Sequence, residues 1–241
     1  MPSPSTRIAP RRWRNGVRVA RAPRENVADL CDPGSFIKYG ALTLAAQRSR
    51  RSLDDLVVNT PADGMVTGIG SVNGSQFGAD TSRCVVLAYD ATVLAGTQGM
   101  RNHQKTDRLL AIALQQKLPV VLFAEGGGAR PGDVDMPVVA GLHATSFASY
   151  AQLSGRVPVV GIAAGRCFAA NAALLGRSDV IIATRGSNIG IGGPAMVEGG
   201  RLGVFAREQI GPSAAQSANC VIDMLVENEA EGVAVPRQYL A

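Results

Sequence analysis

Apolar positions recur along this chain with two different periods, which indicates a mixture of strands and helices. Alternating or unbroken apolar runs predict extended segments at residues 36–40, 65–72, 84–89, 120–123, 157–162, 180–183 and 221–226. Helical spacing predicts helices at residues 24–30, 41–53, 102–117, 138–153 and 168–175. Asn102 is the predicted N-cap of the third helix, and Asn73-Gly74 predicts a hairpin turn.

Small residues follow several of these strands and separate them from the next helix. The segments concerned are residues 125–133, 163–165 and 186–193. Alternation of strands with helices predicts an α/β fold with a largely parallel sheet. Ligands of such folds bind at the carboxyl ends of the strands, so the candidate chemistry is expected in these loops.

Length and composition fit a globular, water-exposed domain. The chain has 241 residues, of which 46% are hydrophobic and 18% charged, enough for a sizeable buried core. It has no apolar run of about 18 residues that could span a membrane. Residues 1–10 also lack the apolar centre of a signal peptide. We therefore expect a cytoplasmic protein that does not bind membranes.

Positive charge is concentrated at the start of the chain. Residues 1–24 contain seven arginines and no acidic residue, so the net charge of +5 leaves residues 25–241 at −2. We interpret residues 1–24 as a basic arm or linker and residues 25–241 as the functional domain. No basic pattern with interleaved aromatic residues continues beyond the arm, so nucleic acid is not an expected partner.

The cysteines point away from metal and disulfide chemistry. Their spacing contains no C-x-x-C pair, and they are far apart at positions Cys31, Cys84, Cys167 and Cys220. Zinc ribbons need closely spaced pairs, and chains of this size rarely depend on disulfides. We expect four reduced thiols in the core and no metal site in this chain.

The most informative motif is Gly126-Gly127-Gly128-Ala129-Arg130, directly after the predicted strand at 120–123. Adjacent glycines let a ligand approach the backbone, and they allow successive N–H groups to point at one anion or oxyanion. A flexible strand-to-helix turn is the simpler interpretation. A phosphate-binding P-loop is excluded because no Gly-Lys-Ser/Thr ends the segment.

A second group of N–H donors is predicted at residues 165–171, at the start of a helix one strand later. Together with the glycine loop, it would form an oxyanion hole from the N–H groups of Gly127, Gly128, Ala169 and Ala170. Side-chain catalysis has little support, since the only histidines are His103 and His143 and no G-x-S-x-G motif is present. The sequence therefore favours electrostatic stabilisation by the backbone.

These motifs resemble the carboxyltransferase of biotin-dependent acyl-CoA carboxylases, in its beta-type N-terminal half. Residues 125–130 (EGGGAR) resemble the family's D-S-G-G-A-R, and residues 165–167 (GRC) resemble the G-P-C of its G-P-C-A-G-G-A. Further resemblances, in the family's order, lie at residues 32–36 (DPGSF), 39–41, 62–68, 93–105, 217–225 and 229. Together they span about residues 32–240.

The resemblance implies a crotonase/ClpP-like spiral of ββα units that binds acyl-CoA. It implies carboxyl transfer from carboxybiotin, through an enolate whose oxygen is held by the glycine loop, with Lys105 and Arg130 near the CoA phosphates. The substrate-binding residues it indicates are Gly96, Thr97, Lys105, Gly126, Ala129, Arg130, Cys167 and Phe168. Biotin would be carried by a partner domain, and the expected partners are the biotin carboxyl carrier, the biotin carboxylase and the C-terminal carboxyltransferase half, in an oligomer.

Several departures from the family pattern leave alternatives open. Gly126 replaces a serine, Arg166 a proline, and Ala169 and Ala170 a pair of glycines. The family's biotin-binding second half does not follow Ala241, so we expect a subunit, a separated domain or a degenerate copy. The EGGGARPGD variant is closest to long fused carboxylases. The alternatives are a malonyl-thioester decarboxylase subunit, an enoyl-CoA hydratase or isomerase, and a non-catalytic acyl-CoA-binding or assembly subunit.

Overall fold

The computed structural model describes residues 13–14, 17–18, 21–135 and 144–241. Its strands are β1 (Trp13–Arg14), β2 (Val17–Arg18), β3 (Ile37–Tyr39), β4 (Met65–Ser71), β5 (Arg83–Tyr89), β6 (Val120–Phe123), β7 (Val159–Ala163), β8 (Arg166–Phe168), β9 (Val180–Thr184), β10 (Asn188–Gly190) and β11 (Met224–Val226). Its α-helices are α1 (Pro23–Leu30), α2 (Leu53–Asn59), α3 (Gly74–Phe77), α4 (Met100–Gln116), α5 (Ser146–Ala151), α6 (Ala170–Leu175), α7 (Pro194–Gly199), α8 (Ser213–Ala218) and α9 (Glu229–Tyr239). Short 3-10 helices lie at Pro61–Gly64, Leu94–Gly96 and Arg207–Gln209.

The predicted α/β architecture with a largely parallel sheet is confirmed. The central sheet has the strand order β11-β9-β7-β6-β5-β4-β3. The strands from β5 to β11 pair in parallel, whereas β3, β4 and β5 pair antiparallel. Both faces of the parallel strands are covered, which is why their sequences are continuous apolar runs and do not alternate.

Alternate residues of β5 enter two separate hydrophobic cores, one on each face of the sheet. Val85 and Leu87 pack with α4 and α5, and Cys84 and Val86 pack with α1 and α9. The sheet is therefore a rigid layer between two sets of helices. The loops at the carboxyl ends of its strands are positioned by this layer.

Two parallel strands, β8 and β10, form a separate small sheet beside these loops. Isolated bridges connect Gly126 with Cys167 of β8, and Gln98 with Ala129. The loop after β6 is thus held between the segment before α4 and the strand β8. Neither β8 nor β10 was predicted, because each has only three residues within a glycine-rich sequence.

The predicted helix at 41–53 is wrong. This stretch is irregular, and helix α2 begins only at Leu53, where the Ser52 side chain caps it by accepting from the Asp55 N–H at 3.2 Å. Backbone groups that a helix would need are used in tertiary contacts. The Ala46 carbonyl accepts from the N–H groups of Val134 and Asp135, at 2.9 and 3.0 Å.

Two local predictions also need correction. Gly99, and not Asn102, is the N-cap of α4. Asn73-Gly74 does not form a two-residue hairpin, because Asn73 is the N-cap of the short helix α3 within a longer connection between β4 and β5. The first part of the helix predicted at 138–153, including His143, lies outside the described residues, and α5 covers its second part.

Three of the four cysteines match their predicted burial. Cys31, Cys84 and Cys167 are buried free thiols, but Cys220 is exposed. The prediction for Cys220 is wrong because the residue lies in the turn after α8, away from both hydrophobic cores. Helices in the described ranges are all too short or too polar to cross a membrane.

Candidate functional site

The glycine loop and the residues before α6 are in direct contact. The Gly126 N–H donates to the Arg166 carbonyl at 2.6 Å, and the Phe168 N–H donates to the Gly126 carbonyl at 2.9 Å. A Cβ placed on Gly128 would lie 2.6 Å from the Ala169 methyl and 3.3 Å from the Ala170 nitrogen. The structure therefore brings the two predicted donor segments together, and only glycine fits at position 128.

The four predicted N–H donors are not equivalent. The Gly127 N–H donates to the Ala95 carbonyl at 3.1 Å, and the Ala169 N–H donates to the Gly190 carbonyl at 2.9 Å. Within the described residues, the N–H groups of Gly128, Ala129 and Ala170 have no acceptor. Gly128 and Ala170 are both half-buried, whereas Ala129 is exposed. Two available donors thus lie on contacting segments, and each is only partly exposed.

Asn171 connects the segments that surround these donors. Its side-chain nitrogen donates to the carbonyls of Gly96 and Glu125, at 3.0 and 2.6 Å, and its oxygen accepts from Gln98 Nε2 at 2.6 Å. Asn171 is completely buried. Sequence reasoning gave it no role, although a lone amide in the apolar run AANAALL signals a buried hydrogen-bonding function.

Arg130 is held in a buried ion pair. Its guanidinium contacts the Asp63 carboxylate and donates to the Thr97 carbonyl at 2.7 Å, and its side chain is only 2% exposed. Burial raises the pKa of Asp63, and the charge of Arg130 opposes that rise. Arg130 thus connects the glycine loop to Asp63 and Thr97, and its predicted contact with CoA phosphates stays a prediction.

Asp63 and Asp133, which both lie beside the Arg130 guanidinium, also cap the N-terminus of α4. The Asn102 N–H donates to Asp63 Oδ2 at 2.7 Å, and the Met100 N–H donates to Asp133 Oδ2 at 3.0 Å. These carboxylates satisfy helix N–H groups that lack an intrahelical acceptor. They are 39 and 33 residues away from their donors, so no local capping pattern could reveal them.

Lys105 is also engaged inside the protein. Its ammonium donates to the carbonyls of Ala62 and Met65, at 2.7 and 2.5 Å. Burial lowers its pKa to about 8. In this position Lys105 supports the turn that carries Asp63, and its predicted contact with a CoA phosphate stays a prediction.

The lowered pKa of Lys105 predicts a pH dependence of stability. Its pKa falls from 10.5 in the unfolded chain to about 8, so the unfolded chain binds more protons between these values. The free energy of unfolding should therefore rise with pH across this window. Lys105→Met should remove that contribution. The measurement compares the free energy of unfolding of the variant with that of the unsubstituted protein, by urea unfolding from about pH 7.5 to about pH 10.5. Identical pH slopes for the two proteins would contradict it.

The other predicted residues lie beside the glycine loop and β8. Gly96 and Cys167 are buried, Phe168 packs near Gly190, and the Thr97 hydroxyl accepts from Arg130 Nε at 3.2 Å. A Cβ on Gly96 would lie 2.7 Å from the Glu125 carbonyl, so this position also requires glycine.

His103 is held away from a catalytic arrangement. Its Nδ1 lies 2.8 Å from the Ser146 hydroxyl, which donates to the Asp107 carboxylate. The serine proton is therefore committed to Asp107, and burial lowers the pKa of His103. No cluster of three potential metal-ligating side chains occurs in residues 21–135 and 144–241.

Comparison with known proteins gives the family. The model of the carboxyl transferase domain matches residues 16–241, nearly the whole chain. The chain belongs to the carboxyl transferase family. The match begins within the predicted basic arm, so the domain boundary at residue 25 stays a prediction.

Carboxyl transferase relatives agree in sequence and in fold. A biotin-dependent 3-methylcrotonyl-coenzyme A carboxylase beta1 subunit of Mycobacterium tuberculosis is 31% identical over 94% of this chain and 41% of its own length. The structure of a single-chain, multi-domain long-chain acyl-CoA carboxylase is 58% identical, with a TM-score of 0.86, over 91% of this chain and 22% of its own. A transcarboxylase 12S structure is 26% identical, with a TM-score of 0.73, over 92% of this chain and 41% of its own.

These carboxyl transferase structures establish the fold as crotonase-like, as the sequence resemblance implied. This chain spans less than half the length of the carboxylase and transcarboxylase proteins just described.

Proposed function

We propose that this chain is the acyl-CoA-binding half of a biotin-dependent carboxyltransferase. The observation that carries the proposal is the pair of N–H groups on Gly128 and Ala170, which lie on contacting loops and have no acceptor in the described residues. Gly128 is preferred to Ala129 because it is the residue in contact with Ala169 and Ala170. Family membership supports an acyl-CoA thioester as the ligand of this pair.

The two donors would bind the thioester carbonyl oxygen of the acyl-CoA. When the α-proton leaves, negative charge develops on this oxygen, and fixed N–H groups stabilise it without having to reorganise. Each such donor typically changes the rate by about 10²–10³-fold. The absence of a Cβ at Gly128 lets the glycine loop lie against Ala169 and Ala170, because an added methyl would come within 2.6 Å of the Ala169 methyl.

Removal of the α-proton is not assigned to a side chain of this chain. Among the described residues, Lys105 and Arg130 are held by carbonyls and by Asp63, and His103 is tied to Ser146. When bound, carboxybiotin would supply the carboxyl group that is transferred, and the ureido nitrogen freed by its loss would accept the α-proton. We assign biotin to a partner, because this chain matches only 41% of a biotin-dependent carboxylase beta subunit and 22% of a multi-domain carboxylase.

One structural relative supports a long-chain acyl-CoA as substrate. The structure that is 58% identical to this chain is described as a long-chain acyl-CoA carboxylase. We therefore expect palmitoyl-CoA to be carboxylated faster than acetyl-CoA or propionyl-CoA by the complete enzyme.

Reconstitution tests the proposed function. The chain, its C-terminal carboxyltransferase half and a carboxybiotin-bearing carrier are combined, and transfer of labelled carboxyl to palmitoyl-CoA is measured. We expect transfer by the combination and none by this chain alone. Transfer by the chain alone would refute the proposal. Release of CO2 from malonyl-CoA without biotin would instead indicate a decarboxylase subunit, and binding of acyl-CoA without turnover in the complete mixture would indicate a non-catalytic subunit.

A further inference from the structure

Ala169 has a backbone conformation that suits glycine better than alanine. Its φ is 52° and its ψ is −122°, at the residue immediately before the Ala170 donor. A Cβ is disfavoured in this part of the φ/ψ map, which costs about 1–3 kcal/mol when a residue other than glycine adopts it.

The surrounding hydrogen bonds hold this conformation in place. The Ala169 N–H donates to the Gly190 carbonyl at 2.9 Å, and its carbonyl accepts from the Ala173 N–H at 3.0 Å. Asn171, two residues later, is fixed by its contacts with Gly96, Glu125 and Gln98. Both sides of Ala169 are therefore anchored, and the strained residue cannot relax by a local shift.

The Ala169 methyl fills the space between the two donor loops. A Cβ on Gly128 would lie 2.6 Å from this methyl, so the methyl rests directly against the backbone of Gly128. Ala169 is only partly buried, so the methyl contributes little to the hydrophobic core. The methyl contacts the loop that carries the Gly128 donor.

We propose that Ala169 is a positioning residue, whose methyl sets the separation of the Gly128 and Ala170 N–H groups. The inference rests on the proposed function, because it concerns the same pair of donors. Without the methyl, the glycine loop can move toward α6, and the two N–H groups no longer converge on one oxygen. Even a small displacement of the glycine loop matters, since a shift of about 1 Å can cost about 100-fold in rate.

Ala169→Gly in the complete carboxylase tests this role. We expect kcat to fall by at least about 10-fold, with little change in KM or in the dissociation constant for palmitoyl-CoA measured by calorimetry. The midpoint of thermal unfolding should stay the same or rise by about 3 °C, because glycine relieves the strain. Ala169→Ser, which keeps the Cβ, should retain most of the activity.

Lys117→Gly is the matched control. Lys117 also has a positive φ, of 53°, but it is the C-cap of α4 and does not lie between the donor loops. Its replacement should leave kcat unchanged. Equal kcat values for Ala169→Gly and the unsubstituted enzyme would overturn the inference alone. If the unsubstituted protein neither binds palmitoyl-CoA nor supports transfer, the proposed function fails and this inference with it.

Discussion

Gly128→Ala is expected to lower kcat for carboxyl transfer by about 100-fold or more in the complete enzyme. The added methyl would lie 2.6 Å from the Ala169 methyl and 3.3 Å from the Ala170 nitrogen. One of the loops must move, which changes the separation of the two N–H donors. The measurement is steady-state transfer of labelled carboxyl to palmitoyl-CoA.

Two other glycines provide the comparison for this result. A methyl on Gly127 would meet only the Thr97 methyl, at 3.4 Å, and the Gly127 N–H is already bound to Ala95. Gly127→Ala should therefore lower kcat by less than about 10-fold. Gly186 lies in an open turn, with no atom within 4 Å of an added methyl, so Gly186→Ala should leave kcat unchanged. A larger loss for Gly127→Ala than for Gly128→Ala would contradict the assignment of the donor.

Arg130→Met is expected to reduce the free energy of unfolding by about 3–5 kcal/mol. The substitution leaves the Asp63 carboxylate buried without its cation, and it removes the hydrogen bonds from Arg130 to Thr97. Urea unfolding of the isolated chain, followed by circular dichroism, measures the loss. We also expect activity to fall, because Arg130 fixes the glycine loop against the start of α4.

An exposed ion pair supplies the control for Arg130. The side chains of Arg185 and Glu227 form a salt bridge, and each is 61% exposed. Water screens such pairs, so Arg185→Met should cost less than about 1 kcal/mol. Equal losses of unfolding free energy for Arg130→Met and Arg185→Met would contradict the stabilising role assigned to the buried cluster of Arg130, Asp63 and Asp133.

The strands could be predicted from the sequence, and so could the proximity of the two candidate donor segments. Parallel strands buried on both faces produce continuous apolar runs, such as residues 84–89 and 120–123, and these are visible without any long-range information. Three adjacent glycines after such a strand also indicate a ligand loop. The contact between this loop and Ala169 follows from the order of the strands in the sheet.

Features that depend on distant residues could not be predicted. Residues 41–53 have helical spacing, but their backbone groups bond to residues 60, 134 and 135 instead. Arg130 and Lys105 are basic residues near a predicted site, so sequence alone favours ligand contacts. Their actual partners, Asp63 and the carbonyls of the turn at 61–65, are known only from the fold.

The choice among N–H donors likewise needs coordinates. Nothing in the sequence distinguishes Gly127 from Gly128, because both are glycines in the same loop. The bond from the Gly127 N–H to the Ala95 carbonyl makes the difference, and it depends on the left-handed backbone of Ala95 in the 3-10 helix at Leu94–Gly96.

A crystal structure of the complete carboxyltransferase with palmitoyl-CoA tests the central claim most directly. We predict that the thioester oxygen lies about 2.7–3.1 Å from the backbone nitrogens of both Gly128 and Ala170. A thioester bound elsewhere, or an oxygen held by neither nitrogen, would contradict the account.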